Sequence, residues 1–523
     1  MPLSKKPENE YFTQSTEKQT KIQPLIKIQV ISKNAQLNGL KIVHAHGVFD
    51  LLHIGHIRHL EQAKELGDIL VVTITPDRFV NKGPHRPVFT QKMRAHSLAA
   101  LESVDYVGVT ENPTSVETIN LLKPDIFVKG TEFKGLKDIT GAVSIEAEAV
   151  KSAGGEIKFV GDITSSSSSL INQHLGQFTE PQERFLESLR KKYSLDEILG
   201  WLDKIAGFTT LVVGESVIEE YLFCRGLGQS VKDPVLAVQE HSTELYAGGA
   251  MQLSNTLTEF CKEVVFITQL GDSKRKEGTV HKLLNPNIRP ILLTKSQSPT
   301  IHKRHIVDSY TGNKLLETYD LNGHNCSIKN SKRLNDEILK QLKCEPKLVL
   351  VSDYGHGMLN NLSASILSYN SPYLALSTQC NAGNQGYNSI NKYKKADYLC
   401  ISGHELNLEV KENGLSEKNR LIKLATIFNC PNITVTCGSR GTIHHQLPNT
   451  VLQVPAFARQ VLDRVGAGVT AFALSSLLVR AKAPWDIVGL YSNAAASIHV
   501  SEIGIKNSID PIKLARYIIT LLK

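Results

Sequence analysis

The chain of 523 residues has few cysteines and no apolar run long enough to cross a bilayer. Its eight cysteines lie between Cys224 and Cys437 at irregular spacings, and none forms a C-x-x-C pair. This pattern argues against a disulfide framework or a zinc site and favours reduced thiols. The first residues are polar and lack the apolar core of a signal peptide. We therefore expect a soluble, cytoplasmic protein without a membrane partner.

A concentrated block of positive charge is also missing. Lys and Arg number 59 against 51 Asp and Glu, a formal net charge of +8, and the basic residues are scattered. This distribution does not predict a nucleic-acid partner, and anionic small substrates explain the charge at least as well. The composition is globular, with 41% hydrophobic and 21% charged residues. The length exceeds one ordinary core and predicts two or three domains.

Strand and helix patterns alternate from residue 38 onwards. The β-rich run KIVHAH, the helical spacing of HIRHLEQAKELG and the buried-strand run DILVVTIT open a unit that continues to residue 176. Such alternation predicts an α/β fold with a parallel sheet covered by helices. We predict a lead-in over residues 1–37, a helical connector over 177–206, and a second α/β unit over 207–523.

The stretch GVFDLLHIGH, residues 47–56, places two histidines at the start of a predicted helix. At a spacing of three, His53 and His56 share one helix face, beside a helix N-terminus that already favours negative charge. They can bind phosphate oxygens and stabilise the charge that develops during nucleotidyl transfer. Gly55 lets a phosphate approach the backbone. The alternatives are two surface histidines or a zinc pair, and zinc would need a further ligand at a suitable spacing.

The same stretch resembles the cytidylyltransferase-like nucleotidyltransferases, over about residues 38–175. The further matching stretches, in the family's order and spacing, are NKGPHRPV, MRAHSLAALESVDYV, LLKPDIFVKGTEF and ITSSSSSLI. The resemblance is closest to the ADP-heptose synthase type of sugar nucleotidyltransferase. It implies a Rossmann-like domain that joins a nucleoside monophosphate from an NTP, either ATP or CTP, to a phosphate-bearing acceptor and releases pyrophosphate.

The resemblance also implies roles for individual residues. His53, His56 and Lys82 would be catalytic. The implied nucleotide- and substrate-binding residues are Gly47, Val48, Phe49, Asp50, Gly55, Arg86, Arg94, Lys129, Gly130, Thr131, Ser167 and Ser168. The last two belong to a serine run that a flexible linker would also explain, although serines ahead of a helix cap it and bind anions. Mg²⁺ bridging the triphosphate is expected, and the sequence offers no dedicated metal cage.

A second series of stretches resembles the ribokinase-like (PfkB) sugar kinases over about residues 207–523. They are LVVGESVIEEY, AGGAMQLSNTL, VSDYGHG, VTCGSRG, DRVGAGVTAF and NAAASIHVSEIG. In that family a G-A-G-D loop at a helix N-terminus forms an anion hole, and its aspartate takes the proton of the sugar hydroxyl. Here the loop consists of Gly466, Ala467, Gly468 and Val469, and an isopropyl group cannot accept a proton.

Other positions of the kinase pattern also differ. His356 stands where the heptose kinases have lysine, Ser377 and Thr378 replace an Asp-Pro pair, and Glu215 and Glu219 replace an aspartate pair. Together these differences predict a domain that keeps the kinase fold without its catalysis and serves dimerisation or ligand sensing. The surviving glycines are explained equally by anion binding and by packing.

The main prediction is therefore a nucleotidyltransferase that activates a sugar phosphate or polyol phosphate for surface polysaccharide synthesis, as a homodimer. The alternative is a bifunctional sugar kinase and nucleotidyltransferase of the ADP-heptose synthase type, with both halves active. A scaffold with neither activity is disfavoured by the intact H-I-G-H, N-K-G and S-S-S-x-L-I elements. In ADP-heptose synthases the kinase precedes the transferase, and the reversed order here weakens the assignment of a heptose substrate.

Overall fold

The computed structural model describes residues 21–80, 82–84, 86–133, 142–161, 178–321, 328–384, 386, 388–447, 450–504 and 509–523. They form two compact units. The first contains the described residues up to Gly161, and the second runs from Phe178 to Leu522. Both units are α/β, as the alternating pattern predicts. Across the described ranges, every helix falls short of the length and apolarity that a membrane span requires.

The first unit is built on a parallel sheet with the strand order β3-β2-β1-β4-β5. The strands are β1 (Ile42–Gly47), β2 (Ile69–Ile74), β3 (Tyr106–Val109), β4 (Ile126–Gly130) and β5 (Glu156–Val160). The helices are α1 (Leu25–Leu37), α2 (Ile54–Lys64), α3 (Gln91–Ala99), α4 (Val116–Leu122) and α5 (Ala142–Ser152). The strand order reverses between β1 and β4, and ligands of open sheets bind beyond the strand C-termini at such a point.

Alternating side chains of β1 supply both layers of the first core. Val43 and Ala45 pack in one cluster with Leu60 of α2. Ile42 packs on the other face with Ile28 of α1, a helix that lies inside the predicted lead-in. Because successive strand residues point to opposite faces, a run that is apolar throughout is buried on both sides.

The second unit contains a nine-stranded sheet of order β10-β9-β6-β13-β14-β15-β16-β17-β18, parallel from β10 to β16 and antiparallel at β17 and β18. Its strands are β6 (Thr209–Gly214), β9 (Glu263–Gly271), β10 (Ile288–Lys295), β13 (Leu348–Asp353), β14 (Leu374–Thr378), β15 (Tyr398–Ser402), β16 (Asn432–Thr436), β17 (Thr442–Gln446) and β18 (Thr450–Val454). A separate four-stranded sheet, called the outer sheet below, has the order β12-β11-β7-β8. Its strands are β7 (Ser216–Gln229), β8 (Leu236–Gly249), β11 (His302–Asp308) and β12 (Lys314–Asp320).

Helices cover both faces of the nine-stranded sheet, with one apolar cluster on each side. The helices of this unit are α6 (Glu180–Lys192), α7 (Leu195–Ala206), α8 (Ala250–Thr258), α9 (Lys274–Leu283), α10 (Ile328–Leu342), α11 (Asn361–Asn370), α12 (Gly403–Glu409), α13 (Glu417–Phe428), α14 (Ala467–Arg480), α15 (Trp485–His499) and α16 (Pro511–Leu522).

The first two of these helices, α6 and α7, occupy the predicted connector and pack into the second unit. Leu186 and Leu189 of α6 are fully buried in its core. Tyr491 of α15 donates a hydrogen bond to the backbone carbonyl of Ile198 in α7 at 2.7 Å. The connector is therefore a structural part of the second unit.

Truncation of a core residue of α6 tests this assignment. We expect Leu186→Ala to lower the free energy of unfolding of the second unit by about 2–5 kcal/mol, because a buried leucine leaves a cavity. Both tryptophans, Trp201 and Trp485, lie in the second unit, so tryptophan fluorescence in urea follows its unfolding. Glu187→Ala, at the exposed neighbouring position, is the control. An unchanged transition in Leu186→Ala would show that α6 is not part of this core.

Candidate functional sites

The turn from β1 into α2 carries the predicted phosphate-binding motif. A Cβ atom on Gly47 would lie 3.0 Å from the ring of Phe49, which itself adopts a φ of 49°. His53 is the N-cap of α2, and its Nδ1 accepts a hydrogen bond from the backbone N–H of Gly55 at 3.1 Å. The compact turn thus fixes His53 at the helix N-terminus, where anions are favoured.

His53 and His56 lie side by side, with ring centroids 4.0 Å apart. Burial lowers the pKa of both rings, and together with the neighbouring His53 and Lys82 it lowers that of His56 to about 3. Because Nδ1 of His53 accepts a hydrogen bond, the proton of the neutral ring resides on Nε2. That nitrogen is buried and has no hydrogen-bond partner among the described residues. It is a donor suited to a phosphate oxygen.

The loop after β2 brings two further predicted residues towards this turn. Nε of Arg86 lies 2.8 Å from Oδ2 of Asp50, and both side chains are buried. The backbone N–H of Phe89 donates to the other oxygen of Asp50 at 3.0 Å. Burial, followed by the charge of Arg86, lowers the pKa of Lys82. Arg86 therefore neutralises Asp50 in the free protein, and Lys82 is the lysine whose charge acts on the two histidines.

Arg94 lies underneath the site, at 1% exposure. Its guanidinium donates to the backbone carbonyls of Val48 at 2.5 Å, Thr75 at 2.9 Å and Phe89 at 3.0 Å, and to Oδ1 of Asp77 at 2.6 Å. These bonds join the motif turn, the end of β2 and the following loop. The structure therefore places this predicted substrate-binding residue as an internal support.

The predicted Lys129–Thr131 turn follows β4, on the other side of the switch point. Nζ of Lys129 lies 2.7 Å from Oε2 of Glu146, whose other oxygen accepts a hydrogen bond from Ser115 at 2.5 Å. Thr131 donates to the carbonyl of Gly161 at 2.9 Å. Gly130 ends β4. The turn is therefore anchored to α5 and to the end of β5. The predicted Ser167 and Ser168 lie outside the described residues.

Sequence reasoning missed a polar row beneath the motif. Nε2 of His44 lies 2.7 Å from Oγ1 of Thr73, which also lies 2.9 Å from Nδ1 of His46, and Nε2 of His46 lies 3.2 Å from Oγ1 of Thr75. Burial, and then the charge of Lys129, lowers the pKa of His44 to about 3 and that of His46 well below its usual value. The signal was the alternation H-A-H in β1, which puts both rings on one face.

A separate cavity of about 310 Å³ in the second unit contains the G-A-G-V loop. Gly466 is the N-cap of α14 with a φ of 88°, and a Cβ atom there would lie 2.4 Å from Nε2 of Gln252. Ala467 begins α14, and Val469 is 5% exposed. The position of the family's base is thus an apolar part of the wall. Polar residues that line this cavity include Glu219, Lys303, His356, Ser377, Glu405 and Arg464.

Asp463, three residues before Gly466, is occupied by other partners. Its carboxylate accepts a hydrogen bond from the hydroxyl of Tyr221 at 2.5 Å and lies 2.7 Å from Nζ of Lys314. It also accepts the backbone N–H of Val465 at 3.1 Å. These contacts tie two strands of the outer sheet to the G-A-G-V loop.

The buried neutral histidine of β1 predicts a loss of stability in acid. Unfolded His44 binds a proton near pH 6.5, whereas the folded chain binds it only near pH 3. The unfolded state therefore binds more protons between these values, and stability falls as the pH is lowered through them. At pH 5 we expect a cost of about 2 kcal/mol relative to pH 8. Hydrogen exchange of the β1 amides at the two pH values measures it.

The variant His44→Gln keeps a hydrogen-bonding side chain that does not titrate. Its loss of stability between pH 8 and pH 5 should therefore be smaller than that of the wild type by about 2 kcal/mol. The exposed His241→Gln is the control and should behave as the wild type. Equal acid losses in all three proteins would contradict a neutral His44.

Comparison with known proteins matches both halves of the chain. Residues 44–174 match the cytidylyltransferase-like family, and residues 370–512 match the pfkB family of carbohydrate kinases. The protein named Bifunctional protein HldE from a Nitratiruptor species is 47% identical over 118 residues, which are 22% of this chain and 25% of that protein. HldE from Geobacter metallireducens is 34% identical over 170 residues, 32% of this chain and 34% of that protein. The chain thus aligns with a quarter to a third of these relatives.

A solved structure of a phosphofructokinase-2 mutant from Escherichia coli has the same fold over 61% of this chain and 100% of its own length, with a TM-score of 0.50 and 11% identity. The first match lies within the first unit and the second lies within the second unit. The chain carries a cytidylyltransferase-like, Rossmann-like domain followed by a ribokinase-like domain of the pfkB carbohydrate kinase family.

Proposed function

We propose that the first unit transfers a nucleoside monophosphate from ATP or CTP to a sugar phosphate or polyol phosphate and releases pyrophosphate. The observation that carries this proposal is the histidine pair. Two neutral imidazoles lie at the N-terminus of α2, and Nε2 of His53 is a buried donor without a protein partner among the described residues. A phosphate oxygen would complete this arrangement.

The proposed chemistry needs alignment and charge stabilisation more than a base. The acceptor phosphate is already an anion, so its oxygen attacks the α-phosphorus without losing a proton, and the bond to the β-phosphate oxygen breaks. His53, His56 and Lys82 would stabilise the charge that develops on the phosphates. Arg94 would act through the turns that it supports, because its donors are already used.

Mg²⁺ would enter with the triphosphate. Among the described residues no group of three or more His, Cys, Asp or Glu side chains is arranged to hold a metal. Asp50, the carboxylate of the motif turn, already pairs with Arg86. This donor set fits an ion coordinated mainly by phosphate oxygens and water, which is the usual preference of Mg²⁺ in such sites. The ion would supply further neutralisation of the phosphates.

For the whole chain, the bifunctional candidate is better supported than the inactive kinase domain that Val469 and the other differences from the kinase pattern predict. The HldE relatives are named bifunctional, and the second unit matches the pfkB family over residues 370–512. In this proposal the second unit phosphorylates a sugar and the first activates the product as a nucleoside diphosphate derivative. A heptose substrate, supply to surface polysaccharides and homodimerisation stay predictions.

The histidine pair is tested by pyrophosphate release from NTP and sugar-phosphate pairs. We expect His53→Ala and His56→Ala each to lower kcat about 10²-fold or more, because each removes a group that stabilises the transferring phosphates. His59→Ala is the matched control, since Nδ1 of His59 contacts the carbonyl of Val160 one turn further along α2. Its kcat should change little. Near-normal turnover in His53→Ala or His56→Ala would remove that histidine from the mechanism.

The bifunctional candidate is tested by ADP formation. The full chain receives ATP, Mg²⁺ and a panel of heptoses, hexoses and pentoses. We expect the wild type to release ADP in the presence of a sugar. Gly466→Leu should abolish this release, because a side chain at Gly466, the N-cap of α14, would collide with Gln252. ADP release equal to a no-sugar control for every sugar would instead support an inactive second unit.

A further inference from the structure

The outer sheet carries a row of three titratable side chains, of which the kinase pattern includes only Glu219. Oε2 of Glu219 lies 2.6 Å from Nε2 of His305, and Nδ1 of the same ring lies 3.0 Å from Oε1 of Glu317. His305 is fully buried, and Glu219 lines the cavity that contains Val469. A carboxylate supported by an imidazole and a second carboxylate thus lines the same cavity as the apolar position of the family's base.

Strand register explains how three distant residues meet. His305 of β11 pairs with Tyr221 of β7 on one side and with Glu317 of β12 on the other. Glu219 lies two residues before Tyr221 and therefore points to the same face of β7. Lys303 pairs with Glu219 and also lines the cavity. The three side chains therefore lie on the face of the outer sheet that lines the cavity.

The same face is tied to the anion-binding loop. Tyr221 donates to Asp463 at 2.5 Å, and Asp463 accepts the backbone N–H of Val465, the residue before Gly466. Glu219, the neighbour of Tyr221 on that face of β7, lines the cavity together with Gly466 and Gly468. A sugar in this cavity would share it with the carboxylate of Glu219 and the N-terminus of α14.

We propose that Glu219, oriented by His305 and Glu317, is the general base of a sugar phosphorylation in the second unit. A sugar hydroxyl oxygen attacks the γ-phosphorus of a Mg²⁺-bound nucleoside triphosphate. The new O–P bond forms, the bond from the γ-phosphorus to the bridging oxygen breaks, and the nucleoside diphosphate leaves. The hydroxyl proton passes to the carboxylate of Glu219. This inference rests on the bifunctional candidate function.

The charges of the row suit this role. Although burial opposes it, hydrogen bonds to Glu219 and Glu317 raise the pKa of His305. The hydrogen bond with His305 lowers the pKa of Glu317 to about 2. His305 lies between the two carboxylates and thereby orients the carboxylate of Glu219. Glu317 lies at the other ring nitrogen and fixes the orientation of the His305 imidazole.

Glu219 and Glu220 form a matched pair of variants in the full chain. Glu220 points to the opposite face of β7, where Nε of Arg304 lies 2.9 Å from its Oε1. With the sugar of the panel that gives the fastest ADP release, we expect Glu219→Gln to lower kcat by about 10²- to 10⁴-fold. Its KM for ATP should stay within about 3-fold, because the carboxylate acts on the hydroxyl. Glu220→Gln should keep the wild-type kcat.

Two further variants separate positioning from folding. His305→Gln should lower kcat in the wild-type background but add little to Glu219→Gln, because both act on one proton transfer. Tryptophan fluorescence in urea reports whether each variant is folded. If Glu219→Gln does not fold, Glu317→Gln is measured instead, because the side chain of Glu317 is 36% exposed. We expect Glu317→Gln to lower kcat by about 10-fold or more.

The outcomes distinguish the assignment of Glu219 as the base from the proposed sugar phosphorylation and nucleotidyl transfer. Wild-type kcat in Glu219→Gln, or in Glu317→Gln where that variant is used, would overturn the base assignment and leave sugar phosphorylation intact. Absence of sugar-dependent ADP release from the wild type would overturn both the base and the bifunctional candidate. Pyrophosphate release by the same preparation reports the first unit separately, so neither result bears on nucleotidyl transfer.

Discussion

The geometry of the first site depends on one buried cation. Arg94 holds the carbonyls of Val48, Thr75 and Phe89 with a single planar group, and it is almost fully buried. A lysine could not reproduce this fork of donors. The motif turn and the loop that carries Lys82 are both bound by this guanidinium. Arg94 therefore sets the distance between the two histidines and that loop. Removal of the cation would leave three carbonyls unsatisfied in a dry environment.

Sequence patterns predicted the fold class, the parallel sheet and a helix that begins at the histidine motif, because these follow from local periodicity and spacing. Patterns did not predict which basic residues are already paired. The resemblance implied Arg86 and Lys129 as nucleotide- or substrate-binding residues, yet each has a carboxylate partner, Asp50 or Glu146. Asp50 lies far from Arg86 along the chain, and only the folded loops bring them together.

The same limit applied to the second unit. Val469 is apolar and buried as its sequence implies, and together with the other differences from the kinase pattern it led to the prediction of an inactive domain. Glu219, His305 and Glu317 are joined by the register of three strands, which no motif records. If the base resides on the outer sheet and the anion site on α14, catalysis requires both to hold the same sugar. A water molecule would then contact the base and the anion site poorly. This would limit hydrolysis of ATP in the absence of a sugar.

The compensated charges of the first site also bear on how a nucleotide reaches it. Before any ligand arrives, His53 and His56 are neutral at pH 7, Arg86 faces Asp50, and Lys129 faces Glu146. Lys82 adds its own charge to these neutral and paired groups, and the field of a single charge is largely screened beyond the Debye length of about 8 Å at physiological salt. Encounter would therefore be governed by ordinary diffusion, with an association rate that depends weakly on ionic strength. Discrimination between triphosphates and other anions would arise after contact, when the phosphates exchange water for the buried donors.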